Sequence, residues 1–449
     1  MSKQRIQLSD HFTYFRLLRF VLPCIGTTLF TSIYGIVDGL CVSNFVGKTA
    51  FAAVNLIMPL PMLLGTIGFM LGTGGSAIVG ITLGEGDQKK ADRYFTLFLL
   101  AALVSVSVLA VLGIVFLRPI AVLLGAKGEL LDYAVRYGRI LMVSLPTFAL
   151  QNMFQSFFVT AEKPHLGFWF TVGAGCTNMV LDVLMVGIWG WGVEGAAIAT
   201  FISQLVGGVL PVFYFIDRSN SSRLHLCKTS FYSKVLRDAC INGSSELMTN
   251  LSMSLVNILY NYQLLRLAGE NGVAAYGVIM SAVFLFVAVF EGYAVGSAPI
   301  VSFHYGARNH TEVHNLYRKS LRLIAVVAVT LTLASMFIIP CVARIFVGYD
   351  AELLALTSRA FRLYALSFLI MGFNVYASSF FTALGDGVTS ALISFLRTLV
   401  FQVIAILLLP LLLGIDGIWL AVTAAELAAL AVSAAMLLAK DKVFHYRKA

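Results

Sequence analysis

Several carboxylates stand where this chain is most apolar. Asp38 lies in the run from Phe20 to Val42, Asp182 in the stretch centred near Cys176, and Glu246, Glu291 and Glu426 in later runs of the same kind. A charged carboxyl removed from water is costly unless it is paired, solvated or protonated, so each is a candidate site. Read as helices rising about 1.5 Å per residue, the runs put Asp38 about 8 Å inside the outer end of its span and Asp182 about 9 Å short of the outer end near Ile188. Thr200, counted from Gly192, is about 12 Å deep. Asn178 shares a face with Asp182, one turn away. Three helices thus bring oxygen-bearing side chains to one level.

Two carboxylates, an amide oxygen and a hydroxyl suit a hard monovalent cation such as Na+, because hard ions take oxygen ligands. The same pair could instead hold one proton, since neighbouring acids in a low dielectric resist ionising together. H+ or Na+ is the only small partner this group asks for, and no organic cofactor is expected. A second polar group comprises Glu246, about 14 Å from the end of its span at Arg237, Glu291, about 20 Å from His304, and Arg397, about 14 Å from Val388. It reads equally as an ion pair in which Arg397 neutralises one glutamate or as a further cation or proton site. Pro23 shares a helix with Asp38 and could turn occupancy of the site into a bend. Catalytic residues are not expected: His304, His310 and His314 gather in a polar turn, and the short loops hold no nucleophile with a partner acid.

Membrane-crossing helices must position these groups. The chain of 449 residues is 59% hydrophobic and 12% charged, against about 25% charged for an average soluble domain. Tyr94 to Leu117, Leu321 to Val342 and Ala391 to Leu413 each exceed the roughly 20 residues needed to cross the hydrocarbon core, and the roughly 10-residue alternation of barrel strands is absent. Breaks at Gly, Pro and charge clusters give twelve expected spans, centred near Ile33, Leu64, Val104, Leu150, Cys176 and Ile202, then Val256, Leu285, Ala328, Gly372, Leu399 and Leu427.

The chain is also written twice. VGKTAFAAVNLIM from Val46 returns as AGENGVAAYGVIM from Ala268, so that Gly47 meets Gly269 at a shift of 222 (269 − 47). Gly75-Ser76-Ala77 and Gly296-Ser297-Ala298 nearly keep that shift, as do Gly192-Val193-Glu194-Gly195 and Gly414-Ile415-Asp416-Gly417. A period this long exceeds any solenoid unit, so each copy is a lobe. Six spans per copy make the lobes parallel, related by a pseudo-twofold axis along the membrane normal. The expected division is an N-terminal lobe over 1–218, a linker over 219–234 and a C-terminal lobe over 235–449. At the shift of 222, Asp38, Asn178, Asp182 and Thr200 meet Tyr260, Val400, Ile404 and Val422. The oxygen cluster therefore belongs to one lobe and is not a packing requirement of the shared fold.

Most Lys and Arg outside the spans fall on one face, among them Lys3, Arg5, Arg16, Lys89, Lys90, Lys163, Arg223, Lys319, Lys440, Arg447 and Lys448, which puts both termini in the cytoplasm. The net charge of +9 is then topology and not a nucleic-acid footprint. The run after the basic N-terminus is too long, and too free of a small-residue cleavage site, for a signal peptide. Six cysteines show neither metal-ligand spacing nor a disulfide framework. Gly84-Glu85-Gly86-Asp87 matches Gly306-Ala307-Arg308-Asn309 as a tight turn, and it lacks the Gly-Lys-Ser/Thr ending of a phosphate loop. Any transport is then expected to run on ion gradients.

The chain resembles the multidrug and toxic compound extrusion (MATE) family over nearly its full length. Pro23 followed by Tyr34-Gly-Ile-Val-Asp38, the VGKTAFAAVNLIMPL segment, and Ala298-Pro-Ile-Val-Ser-Phe-His-Tyr-Gly-Ala307 carry the resemblance together. It implies two six-helix lobes in a V, in a bacterial-type inner or plasma membrane, exporting organic cations in exchange for protons or sodium ions by alternating access. It implies that Asp38, Asn178, Asp182 and Thr200 form the first-lobe ion site and that the first helix bends near Pro23 when the aspartate is protonated. Glu246 matches part of a second-lobe pattern whose partner aspartate is missing, Asn374 being offered instead. A monomer touching lipid and small organic cations is expected. A lipid or lipid-linked saccharide flippase of related fold is the alternative, and it would need several central cationic residues where only Arg397 stands deep in a span.

Overall fold

The computed structural model describes residues 6–348 and 350–446, and the side chains of all of these except 40, 42–44, 48, 342, 345 and 346. Lys3, Arg5, Arg447 and Lys448 lie outside the described residues. The described chain is helical, with no strand: α1 (Tyr14–Phe45), α2 (Lys48–Ile57), α3 (Pro59–Gly84), α4 (Gln88–Leu123), α5 (Glu129–Thr160), α6 (Pro164–Asp182), α7 (Gly192–Gly208), α8 (Leu210–Ile216), α9 (Ser233–Asn242), α10 (Ser244–Gly306), α11 (His310–Val347), α12 (Ala351–Ala365), α13 (Phe368–Ala383), α14 (Gly387–Phe395), α15 (Phe401–Leu413) and α16 (Ile415–Phe444). Two π-helical turns, Val183–Ile188 and Leu396–Val400, follow α6 and α14 directly.

The repeat governs the backbone as well as the letters. Gly86 and Arg308, 222 apart, both adopt positive φ (88° and 56°), and the residue after each caps a helix: the Asp87 side chain accepts from Lys90 N at 3.0 Å and that of Asn309 from Glu312 N at 3.1 Å. The two matching turns are therefore helix starts, built as short polar caps are. Gly192, the first residue of α7, and Gly414, just ahead of α16, are also 222 apart and share φ 59°.

Among the described residues, nine helices are long and apolar enough to cross a membrane, or ten if α12 and α13, bent by 46°, form one span. The sequence leads to twelve, and this criterion does not reach that number for two physical reasons. At 63 residues α10 would extend about 95 Å, three times the hydrocarbon thickness, and it is in fact two helices joined at Gly269, whose φ of 61° and ψ of −148° are not helical. The middle of α5 carries Gln151, Asn152 and Gln155, which dilute its apolarity. Exposed Val104, Val108, Val111 and Val115 on α4 and Val326, Val329, Leu333 and Phe337 on α11 recur at helical spacing, the stripe a lipid-facing helix presents.

Helices α1–α8 and α9–α16 form two lobes that touch chiefly toward one end. There one hydrophobic cluster draws on both lobes, joining Phe20, Phe98, Phe154 and Phe157 with Phe290, Tyr293, Leu316 and Phe380. Toward the other end the cores are separate: Ala50, Leu117 and Tyr137 belong to a first-lobe cluster, and Tyr260, Tyr276 and Trp419 to a second-lobe one. At the joined end α3 meets α10 backbone to backbone. A Cβ on Gly84 would strike the carbonyl oxygen of Phe303 and one on Gly306 that of Ile81. Phe303 and Gly306 are Ile81 and Gly84 moved by 222, so the contact sits on the pseudo-twofold axis. α1 joins the same seam, with Gly296 against Cys24, Gly292 against Ile25, and Thr28 Oγ1 donating to Ala288 O at 2.6 Å.

Replacing Gly84 or Gly306 by leucine should destabilise the protein by about 1–3 kcal/mol, the usual cost of overpacking a tight contact, seen as a lower unfolding temperature in detergent. Gly277→Ala, where an added Cβ meets nothing within 4 Å, should leave that temperature unchanged or raise it.

Candidate functional site

Asp38 projects from α1 nearly three turns beyond the seam at Thr28, and Asp182 closes α6 where the chain enters the π turn. Such turns widen a helix by one residue and recur at functional sites. Asp182 is fully buried and Asn178 is 2% exposed. The carboxyls of Asp38 and Asp182 lie close enough for each to feel the other's charge, and Asn178 Nδ2 points to Thr200 Oγ1 on α7 at 3.4 Å. The residues expected at one level are thus brought together. Both oxygens of Asp182, Oδ1 of Asp38 and Oδ1 of Asn178 are buried without a hydrogen-bond partner.

Buried acceptors left without donors are costly, and here they converge. A carboxylate pair accompanied by an amide oxygen and a hydroxyl is complementary to a small cation or a shared proton, since either supplies the positive charge that the surrounding protein withholds. Among the described residues no group of three or more His, Cys, Asp or Glu side chains could hold a metal ion.

Two tyrosines complete the surroundings. Tyr137 of α5 is fully buried, its hydroxyl has no partner, and it lies in the field of both carboxylates. Tyr34, one turn before Asp38, faces that carboxylate and Gln151 of α5. Sequence reasoning missed both as site residues. For Tyr34 the signal was its i−4 spacing from Asp38; for Tyr137 it was the repeat, which sets Arg359 in the matching place. Arg359 instead pairs with Asp416 at the surface.

The second lobe fills the equivalent space differently. Tyr260, the counterpart of Asp38, is 2% exposed and stacks on Tyr276 with ring centroids 5.1 Å apart. Its polar cluster lies lower, around the π turn at Leu396–Val400. Arg397 Nη1 stands 3.7 Å from Glu426 Oε1, while Glu426 Oε2 accepts from Asn374 Nδ2 at 2.7 Å and Ser433 Oγ donates to Asn374 Oδ1 at 2.9 Å. The ion pair expected with Glu246 or Glu291 therefore closes on Glu426, because α16 returns beside α15 and lays that side chain against the π turn. Glu246 and Glu291 remain within the field of Arg397, and Glu291 is exposed. Asn374 and Glu426 match Asn152 and Gln204 in the first lobe, where Asn152 Nδ2 and Gln204 Oε1 are buried without partners.

The MatE family model matches residues 23–184 and again 247–408. The chain belongs to the MatE family. It is an integral membrane protein by that membership and by its long apolar helices. The multidrug export protein MepA of Staphylococcus saprophyticus is 21% identical over 433 residues, spanning 95% of this MatE chain and 94% of the relative. Two solved structures superimpose over 100% of both chains at 22% identity and a TM-score of 0.91: a MATE protein in complex with MaL6, and an outward-facing multidrug resistance MATE family transporter of the MOP superfamily. At that identity the likeness is one of fold.

The two polar clusters should respond oppositely to substitution. Asp182→Asn removes a charge that no protein donor satisfies, so the unfolding temperature should hold or rise. Glu426→Ala strands a buried guanidinium and should cost about 3–5 kcal/mol, measured in the same thermal assay.

Proposed function

We propose that this protein is a secondary antiporter that exports organic cations or drugs in exchange for protons or sodium ions by alternating access. One observation carries the reading: the donor-poor oxygen cluster at Asp38, Asp182, Asn178 and Thr200, present in a single lobe. The multidrug export named for the MepA relatives supports the cargo class.

In this reading both termini face the cytoplasm and the cleft faces outward. A proton or Na+ entering from that side settles between Asp38 and Asp182, with Asn178 and Thr200 supplying further oxygens and Tyr137 closing the site from α5. Occupancy removes the repulsion between the carboxylates and lets α1 approach α6 more closely. α1 is continuous through Pro23, where one backbone hydrogen bond is lacking, and the residues just beyond, Cys24, Ile25 and Thr28, are those that pack on α10. A bend at Pro23 thus moves the segment that seams the lobes, and site occupancy reaches the gate. Glu291, with Glu246 behind it, offers negative charge to a cationic cargo in the cleft. Arg397 is committed to Glu426, which leaves a flippase reading without the cationic centre it needs.

Efflux of a fluorescent organic cation from everted vesicles, with pH and sodium gradients imposed separately, tests the proposal. Asp38→Asn should reduce gradient-driven efflux at least tenfold, to background, while the protein stays folded and monodisperse. Full efflux by that variant under either gradient would reject the role.

A further inference from the structure

We infer that the segments leading into the two lobes act as crossed straps across the joined end, and that the N-terminal strap, residues 6–13, must leave Glu312 before that end can open. The inference rests on the alternating-access reading and adds to it a latch outside the ion site.

The strap belongs by sequence to the first lobe, yet the second lobe holds it. Leu8 and Phe12 are fully buried. Glu312 of α11 accepts from Phe12 N at 2.9 Å through Oε1 and meets His11 Nδ1 at 2.6 Å through Oε2. Phe12 O in turn accepts from Asn315 Nδ2 at 3.2 Å and Lys319 Nζ at 2.6 Å, and the Phe12 ring stands edge-on to that of His304, centroids 6.4 Å apart. Bonds to charged groups are the stronger ones, so this grip exceeds that of a solvated tail.

The linker mirrors the arrangement. His225 N donates to Asp92 Oδ1 at 3.0 Å, Cys227 N to Thr96 Oγ1 at 3.1 Å and Thr229 Oγ1 to Arg93 O at 2.8 Å, all on α4 of the first lobe. In the repeat α4 and α11 are equivalent helices, so each lead-in segment lies on the same helix of the opposite lobe. Glu162 ties the two together. Held at φ 61° in the α5–α6 turn, it accepts from Leu8 N at 2.9 Å and from Arg223 Nη1 at 2.5 Å, and the Arg223 guanidinium lies 4.9 Å over the Phe303 ring of the second lobe. A left-handed backbone at a residue other than glycine persists only where its surroundings hold it.

Parting α3 from α10 carries α4 and α11 in opposite directions. Only Thr13 separates Phe12 from the start of α1, so no slack lets the strap stay on α11 while α1 departs with its lobe. The linker joins the two lobes covalently, whereas only non-covalent contacts, among them those of His11 and Phe12, hold the strap on α11, and Glu312 is its catch.

Electron–electron resonance distances between spin labels at Lys89→Cys and Arg318→Cys, exposed positions on α4 and α11, in a background with the native cysteines replaced, test this in full-length protein. Glu312→Gln should raise the long-distance population about tenfold, the effect of weakening a charge-assisted bond, and Glu352→Gln, on an exposed residue at the far end, should not. A cleavable crosslinker between His11→Cys and Asn315→Cys should abolish that population and halt efflux until cleaved, a result independent of how Glu312→Gln folds. If wild type gains the long-distance population under an imposed gradient while Glu312→Gln matches it, or the crosslinked protein transports freely, the strap is not a latch. If wild type never gains that population under any gradient, alternating access itself fails, and the strap proposal with it.

Discussion

Where Gly84 of α3 and Gly306 of α10 face each other the lobes meet without side chains between them, and the rest of the architecture depends on that approach. Gly84 and Gly306 bring each helix within reach of the other's carbonyls, and because the contact lies on the pseudo-twofold axis, whatever one lobe requires the other requires too. Closeness at this end gathers the shared aromatic cluster and leaves separate cores at the other. The cleft follows from the glycines as much as from any feature of its walls.

Symmetry fixes the frame and the departures from it carry the chemistry. In the first lobe two acids confront each other with almost no donors; in the second the matching place holds stacked tyrosines, and charge collects lower down, where Arg397 faces Glu426 and Asn374 links Glu426 to Ser433. The first is poorly compensated and so able to respond to an ion; the second is closed and holds its shape. Each cluster adjoins a π turn, which shows that both lobes used the same local widening of the helix to reorient polar groups.

Much of this was legible in the residues. The 222-residue repeat, the helical class and the common level of Asp38, Asp182 and Thr200 follow from spacing and helix rise. Tyr137 was hidden because its rotation on α5 relative to the acids depends on packing, and Arg397's choice of Glu426 depended on how α16 returns. Gly269, which the repeat sets opposite Gly47, turns the chain so tightly that two helices run on through it without a gap. The lead-in segment around Leu8 and Phe12 reads as a solvated basic flank, since its burial is produced by a helix three hundred positions away.

The aromatic-rich cluster shared by the lobes carries a thermal consequence. Separating the lobes at that end would wet apolar surface of the cluster they share, and newly hydrated apolar surface raises the heat capacity of the opened state. The balance between the two faces of the membrane is therefore curved in temperature, with one point at which wetting is most opposed, so that warming and cooling away from it would each favour the opened end, to a degree set by the buried rings and not by the ion.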